Sequence, residues 1–486
     1  MREGFFFKAL LTTTLVIAVF LTAVPCLDAR ERKGLGLFKR NGDEPQAAMD
    51  GEGLRGEANY KEYKIVLNPF GFHFIDKFQE DAAEAGASWD RTKIAWGERE
   101  PVRGEFKIDG FRKRVSDMTS VGIDMAPRIN SWNPWANTDT INKMNQSAKN
   151  EGKPIGDQTF FSYTKDIEGY KAFLTRVVEM FDGDGVNDTP ELKKPIKYWQ
   201  IENEWDWRWK DTPEKYVELM KAAHEAIKKA DPEAKIILSG ISELHRFAFA
   251  DGYLGGRLTI NGKTMTREQM RAEKGFKERY ELVTYTLKHG KDYFDIADFH
   301  HYGAYEAMDG VVKWLRDKMR EYGYEKPIWS MEMGGPYLKH GEKYTEAIQA
   351  DEVVKYYAMG MGNGVEVLFW SSFMVTASYG PAFTNLAVID KGRKKPAFYA
   401  YKLMTSKLKG ASSVERVKTG NEDSYVFKFM KAGKPVYVAW NNKGESFKLD
   451  PGGKDFIITD INGRDKTVKG DKEILLGTSP VFVEIR

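Results

Sequence analysis

Between residues 60 and 402, short apolar runs alternate with stretches whose apolar positions recur every three to four residues. The runs are KIVLNPFGFHF, SWDRTKIAW, DMAPRINSW, IKYWQIENE, AKIILSGIS, FDIADFHHY, KPIWSMEMG and VEVLFWSSF. Each reads as a strand covered on both faces. Between them, TPEKYVELMKAAHEAIKKADP and YTEAIQADEVVKYYAMGMG read as amphipathic helices. Such alternation predicts a parallel α/β fold, and eight units in about 340 residues suit a (β/α)8 barrel over 60–402. A doubly wound sheet is the alternative, but no glycine-rich nucleotide turn follows the first run. Beyond residue 402 the period shortens to two in SYVFKFMKAGKPVYVAWNN, DFIITDINGRD and SPVFVEIR. These predict a small antiparallel β-sandwich over 403–486, most simply a cover for one side of the barrel.

The start of the chain has a different pattern. A basic MREGFFFK precedes the apolar ALLTTTLVIAVFLTAV, which ends at Pro25. Residues 1–29 therefore read as a signal peptide or an uncleaved membrane anchor, and the protein as secreted or periplasmic. Residues 30–59 are charged and glycine-rich and read as a linker. Cys26 is the only cysteine, so no internal disulfide forms, and Pro25 before it departs from the small residue of a lipidation site. The 42% hydrophobic and 30% charged residues are those of a globular protein. A net charge of +3 without a basic block argues against nucleic acid as a partner, and membrane contact is expected only through the leader. No cofactor motif is present. Asp182, Asp184 and Asp188 in DGDGVND resemble a calcium loop, but Val186 takes a ligand position and no glutamate closes the loop. They are a candidate structural calcium site, and Asp-Gly repeats also simply make turns.

In a barrel, chemistry belongs at the carboxyl ends of the strands. Those ends carry Arg91 and Trp96, Asn130 and Trp132, Asn203 and Glu204, His300, His301 and Tyr302, Glu332, and Trp370. Burying charge costs several kcal/mol unless it is paired, so carboxylates at the end of an apolar strand such as YWQIENEWDW are either a solvated turn or a working site. Carboxylates amid tryptophan, tyrosine, histidine and asparagine, without a nucleophilic serine or cysteine, suit glycoside cleavage. His300 and His301 read either as a core pair or as metal ligands lacking a near third. Trp205, Trp207 and Trp209, spaced by charged residues, predict an exposed loop beside the cleft, with Trp132 and Trp135 similar.

QIENEW and IWSMEMGGP, with WDRTKIAWGEREPVRGEF at the second run, resemble the clan A retaining glycoside hydrolases, the group of β-xylosidases, β-mannanases and cellulases. Met331 departs from the threonine common at that position. The resemblance implies a retaining β-glycosidase with a carbohydrate substrate; the second module, which it does not cover, could also bind sugar. A carbohydrate-binding barrel without catalysis and a transglycosylase are the alternatives. It further implies that Glu204 is the acid/base, protonated at rest, and Glu332 the nucleophile, with the carboxyl groups about 5–5.5 Å apart. Asn203 would bond the sugar 2-hydroxyl, Tyr302 and Arg91 would hold Glu332 ionised, His300 would lie near the cleavage point, and Trp370 would face the sugar. Glu202 is the rival to Glu204, since alternation points both to one side; Asn203 favours Glu204. The long segment 243–291 is expected to wall one end of the cleft, favouring exo action or short oligosaccharides.

Overall fold

The computed structural model describes residues 55–486 apart from 151–159, 261–262, 336–342, 375–384, 445, 448 and 450–453. The leader 1–29 and most of the linker 30–59 lie outside the described residues.

All eight runs contain parallel strands. The first is Phe70–His73; the second is Trp89–Arg91 and Lys93–Ala95; the third is Asp124–Met125 and Arg128–Asn130. The fourth to eighth are Tyr198–Ile201, Lys235–Ile237, Ala297–His301, Ile328–Met333 and Val365–Ser371. Six pieces pair in the order sixth, seventh, eighth, first, second, third. The outer halves of the second and third strands pair on with the fourth and fifth. Isolated parallel bridges from Ile237 to Ile296 and from Ile241 to Phe299 connect the fifth strand to the sixth.

The helices between strands start where the sequence supplies caps. Asp166 accepts from the Gly169 amide at the start of Ile167–Glu179, and Thr212 and Thr345 do the same for Pro213–Ala230 and Glu346–Gly362. Pro213 occupies the first turn, where its missing N–H costs nothing. Segment 243–291, expected to wall the cleft, carries the helices Leu244–Ala250, Arg267–Arg271 and Phe276–His289 and the antiparallel ribbon Leu258–Ile260 with Lys263–Met265.

Within the strands an apolar floor lies at the amino-terminal ends. Trp329 stacks on Tyr198 with centroids 5.0 Å apart and meets Trp89 edge-on at 5.5 Å, with Ile237, Ile296 and Val367 around them. Two residues along the second, fourth and sixth strands the same face carries Arg91, Gln200 and Asp298, all fully buried. Side-chain alternation thus sets a polar layer directly on an apolar one.

The first run divides. Tyr63–Lys64 pairs antiparallel with Ala411–Arg416, and only Phe70–His73 joins the parallel strands. Pro69 separates the two pieces, because it has no amide for a ladder. That first piece is the edge of a seven-stranded antiparallel sheet that continues through Ala411–Arg416, Ser424–Lys431, Lys434–Asn441, Val481–Ile485, Phe456–Thr459 and Asp465–Val468. A two-stranded ribbon, Ser446–Phe447 with Ile474–Leu475, shares its apolar cluster through Ile474. The boundary expected at 402/403 falls inside the helix Pro396–Leu408, which packs on Glu346–Gly362, so the antiparallel part begins after it.

A buried ion pair joins the two parts. Arg416 Nη1 donates to Asp309 Oδ2 at 2.7 Å, and Asn363 Nδ2 donates to the other oxygen at 2.7 Å. Replacing Asp309 with Ala leaves Arg416 buried without its counter-charge. Asp309→Ala is expected to lower unfolding free energy by about 3–5 kcal/mol, read by urea denaturation. A loss under about 1 kcal/mol would show that the pair does not hold the joint.

Candidate active site

The fourth strand ends at Ile201, and the chain then turns sharply. Glu202 (φ 67°) and Glu204 (φ 50°) both take left-handed backbone, which disfavours non-glycine residues. The turn sends the two side chains to different places. Glu202 is fully buried; its Oε1 accepts from the Ser131 amide at 2.5 Å and its Oε2 from Asn130 Nδ2 at 3.1 Å. It braces the end of the third strand, and Asn130, expected to meet substrate, is occupied with it. Strand alternation does not apply here, because the strand has already ended.

Glu204 faces the other carboxylate. One oxygen of Glu204, one of Glu332 and a ring nitrogen of His300 all lie within 4.8 Å of one another. His300 Nδ1 is 3.0 Å from Glu204 Oε1 and 3.6 Å from Glu332 Oε2. Gly240, at the end of the fifth strand, makes room for this ring: a Cβ there would stand 2.1 Å from His300 Nε2. His301 belongs to the core and bonds the Ala304 carbonyl. The two histidines therefore have separate duties.

Glu332 is held on both oxygens. Arg91 Nη1 donates to Oε1 at 2.5 Å and the Tyr302 hydroxyl to Oε2 at 2.8 Å. Arg91 also donates from Nε to Gln200 Oε1 at 2.8 Å and from Nη2 to Asn203 Oδ1 at 2.6 Å. Gln200 passes the network on to Asp298, whose second oxygen accepts the Met331 amide. Glu204 Oε2 accepts from the Trp207 ring N–H at 3.0 Å and from Arg208 Nη2 at 2.9 Å.

These contacts set the charges. Burial raises Glu332, but His300, Arg91, His73 and Arg128 outweigh it and hold its carboxyl well below the usual range. Burial also raises Glu204, and Arg208 and His300 bring it down to about 2. Burial lowers His300, yet the facing carboxylates of Glu332, Asp298 and Glu204 lift it to about 9. Glu204, expected to carry a proton at rest, is thus held toward its ionised form by two cationic partners, and His300 toward its protonated form. The same cations argue against a metal at Glu204, His300 and Glu332, because Arg91 and Arg208 already bond the two carboxylates.

Arg91, Asn203, Glu204, His300, Tyr302 and Glu332 therefore meet, as the sequence led us to expect. Trp370 does not offer a face: it is fully buried, its ring N–H donates to the Leu386 carbonyl, and Tyr356 packs edge-on against it. Trp132 is half-buried, and its ring N–H donates to Asn142 Oδ1 at 3.1 Å. Trp96 is core. The exposed loop expected at Trp205–Trp209 is a helical turn in which Trp205 and Trp209 are core; only Trp207 reaches the site. Asp182, Asp184 and Asp188 lie within 4.8 Å of one another, and their oxygens accept loop amides from Gly183, Asp184, Gly185 and Val186. His73, Arg128, Gln200, Asp298 and Arg208 are the site residues that sequence reasoning passed over.

No protein-family profile matches the sequence, and no curated protein matches it. Solved structures do. A family 39 glycoside hydrolase from the gut symbiont Bacteroides cellulosilyticus WH2 superposes with a TM-score of 0.61 at 17% identity, over 86% of this chain and 81% of that one. A glucosidase from Croceicoccus marinus gives 0.57 at 13% identity, over 90% and 98%. A family 30 endoxylanase from Clostridium papyrosolvens C71 gives 0.53 at 14%, over 88% and 99%. The structure resembles clan A glycoside hydrolases, and at these identities the likeness is one of fold.

Glu202 supplies a test of the split within ENE. Burial pushes it up to about 7 against the hydrogen bonds from Ser131 and Asn130. A carboxyl raised on folding is favourable while protonated and costs stability once charged. The wild type should therefore lose about 3 kcal/mol relative to Glu202→Gln as pH rises from about 4.5 to 7, and no more above it. Unfolding free energies across that range check this; a gap independent of pH would refute the placement of Glu202.

Proposed function

We propose that this chain is a retaining β-glycosidase that hydrolyses O-glycosidic bonds of a polysaccharide or oligosaccharide by double displacement, within a closed (β/α)8 barrel. The observation that carries this reading is the approach of Glu204 and Glu332, whose oxygens come within 4.8 Å. Retaining pairs stand about 5–5.5 Å apart, whereas inverting pairs need about 6.5–9.5 Å to admit a water. The parallel pairings and the bridges from the fifth strand to the sixth support closure, and the antiparallel sheets are read as its two-layered cover.

Glu332, ionised under Arg91 and Tyr302, attacks the anomeric carbon and forms a glycosyl ester. Glu204 protonates the departing oxygen, with His300 as its proton source at 3.0 Å. Glu204, then ionised, takes a proton from the water that hydrolyses the ester. Asn203 has its carbonyl oxygen engaged by Arg91, and none of the described residues accepts from its Nδ2, which is available for a sugar hydroxyl. Export rests on the leader sequence alone, and sequencing the amino terminus of the secreted protein tests it.

Glu332→Ala is expected to abolish turnover on every glycoside. Glu204→Ala should lose about 10²–10⁴-fold on natural glycosides. On nitrophenyl glycosides it should instead give a burst followed by slow turnover that azide accelerates. Full activity in Glu204→Ala with loss in Glu202→Ala would move the acid/base by two residues and overturn the assignment.

A further inference from the structure

Arg208 is placed where it opposes the proton donor. The helical turn Trp205–Arg208 follows Glu204 directly, so Arg208 returns over the carboxylate and donates from Nη2 to Oε2 at 2.9 Å. Its guanidinium lies 4.7 Å over the Trp207 ring, its side chain is 7% exposed, and among the described residues no acceptor reaches its buried Nε. Lys210 bonds the Trp207 carbonyl and sits over Phe160, with no carboxylate partner among the described residues. Arg208 thus lies over the Trp207 ring and Lys210 at its carbonyl, and among the described residues the carboxylate paired with Arg208 is the one the reaction needs. An arginine within hydrogen-bond reach keeps a carboxyl ionised, and an ionised carboxylate cannot protonate a glycosidic oxygen. A neutral sugar leaves Arg208 on Glu204, or else strands it without a counter-charge in a buried position.

We propose, on the glycosidase reading of this site, that Arg208 recognises an anion in the leaving-group subsite and that the substrate is an acidic glycan whose carboxylate or sulfate replaces Glu204 as its partner. The planar fork of arginine suits either group in a two-point contact. Exchange of partners frees Glu204, which takes the proton of His300 Nδ1 and passes it to the leaving oxygen. His300 is left neutral and regains its proton from Glu204, after Glu204 has taken one from the water that hydrolyses the ester. Lys210 adds long-range attraction for the same charge.

The test uses the full chain and β-linked uronate-containing or sulfated oligosaccharides, each beside its carboxyl-reduced or desulfated form. The wild type should show kcat/KM at least about tenfold higher on the anionic form, the scale of one charge-assisted contact. Arg208→Gln should abolish that preference and Arg208→Lys should keep part of it. The uronate and sulfate arms identify which anion is read. Calorimetric binding of the same sugars to Glu332→Gln, with and without Arg208→Gln, reads the preference without turnover. Equal handling of charged and neutral forms overturns the proposal, as does a preference that survives Arg208→Gln or an absence of any binding. If no glycoside is cleaved but Arg208-dependent binding of the anionic forms persists, the glycosidase reading fails and the anion site stands.

Discussion

The site depends on one buried cation. Arg91 has no exposed surface, and an uncompensated charge there would cost several kcal/mol. Its three donors reach Gln200 and Asn203 from the fourth strand and turn, and Glu332 from the seventh. Those three residues are thereby placed relative to one another, and Gln200 extends the constraint to Asp298 and the sixth strand. The carboxylate that should attack is therefore oriented and kept ionised by the same side chain that anchors the strand ends. The apolar floor of Trp89, Tyr198 and Trp329 lies beneath it and gives this polar layer a dry support.

Much of this was legible in the chain because alternation and strand order are local signals. Eight apolar runs separated by amphipathic stretches gave the strands, and the ends of those runs gave Arg91, Asn203, Glu204, His300, Tyr302 and Glu332. What escaped is mainly what depends on direction. Glu202 parted from Glu204 through two left-handed residues, which periodicity does not foretell. Trp370 and Trp205 were candidates as large aromatics beside polar residues, yet both are core, where a tryptophan buries the most area. The two-residue strand Tyr63–Lys64 overlaps the first run only at Lys64, and its partner lies some 350 residues away. Arg208 could have been found: it stands four residues from Glu204, the spacing at which helical side chains meet.

The electrostatics give the two glutamates different surroundings. Glu332 is bonded by Arg91 and Tyr302 with His73 and Arg128 farther out, a setting that favours a permanent anion. Glu204 shares His300 with Glu332 but otherwise depends on Arg208 and Trp207, groups on its own short helical turn. A charge held by a single local turn is easier to neutralise than one held by several strands. That asymmetry is what a nucleophile and an acid/base require of a pair this close together.

In the proposed double displacement, Glu332 forms a covalent bond with the sugar. Incubating the protein with a 2-deoxy-2-fluoro glycoside that bears a good leaving group, then digesting it for mass spectrometry, tests this most directly. One added glycosyl mass is expected on the peptide carrying IWSMEMGGP, located on Glu332 and absent from Glu332→Ala. An adduct on Glu204 or Glu202, or hydrolysis with inverted anomeric configuration and no adduct, would contradict it.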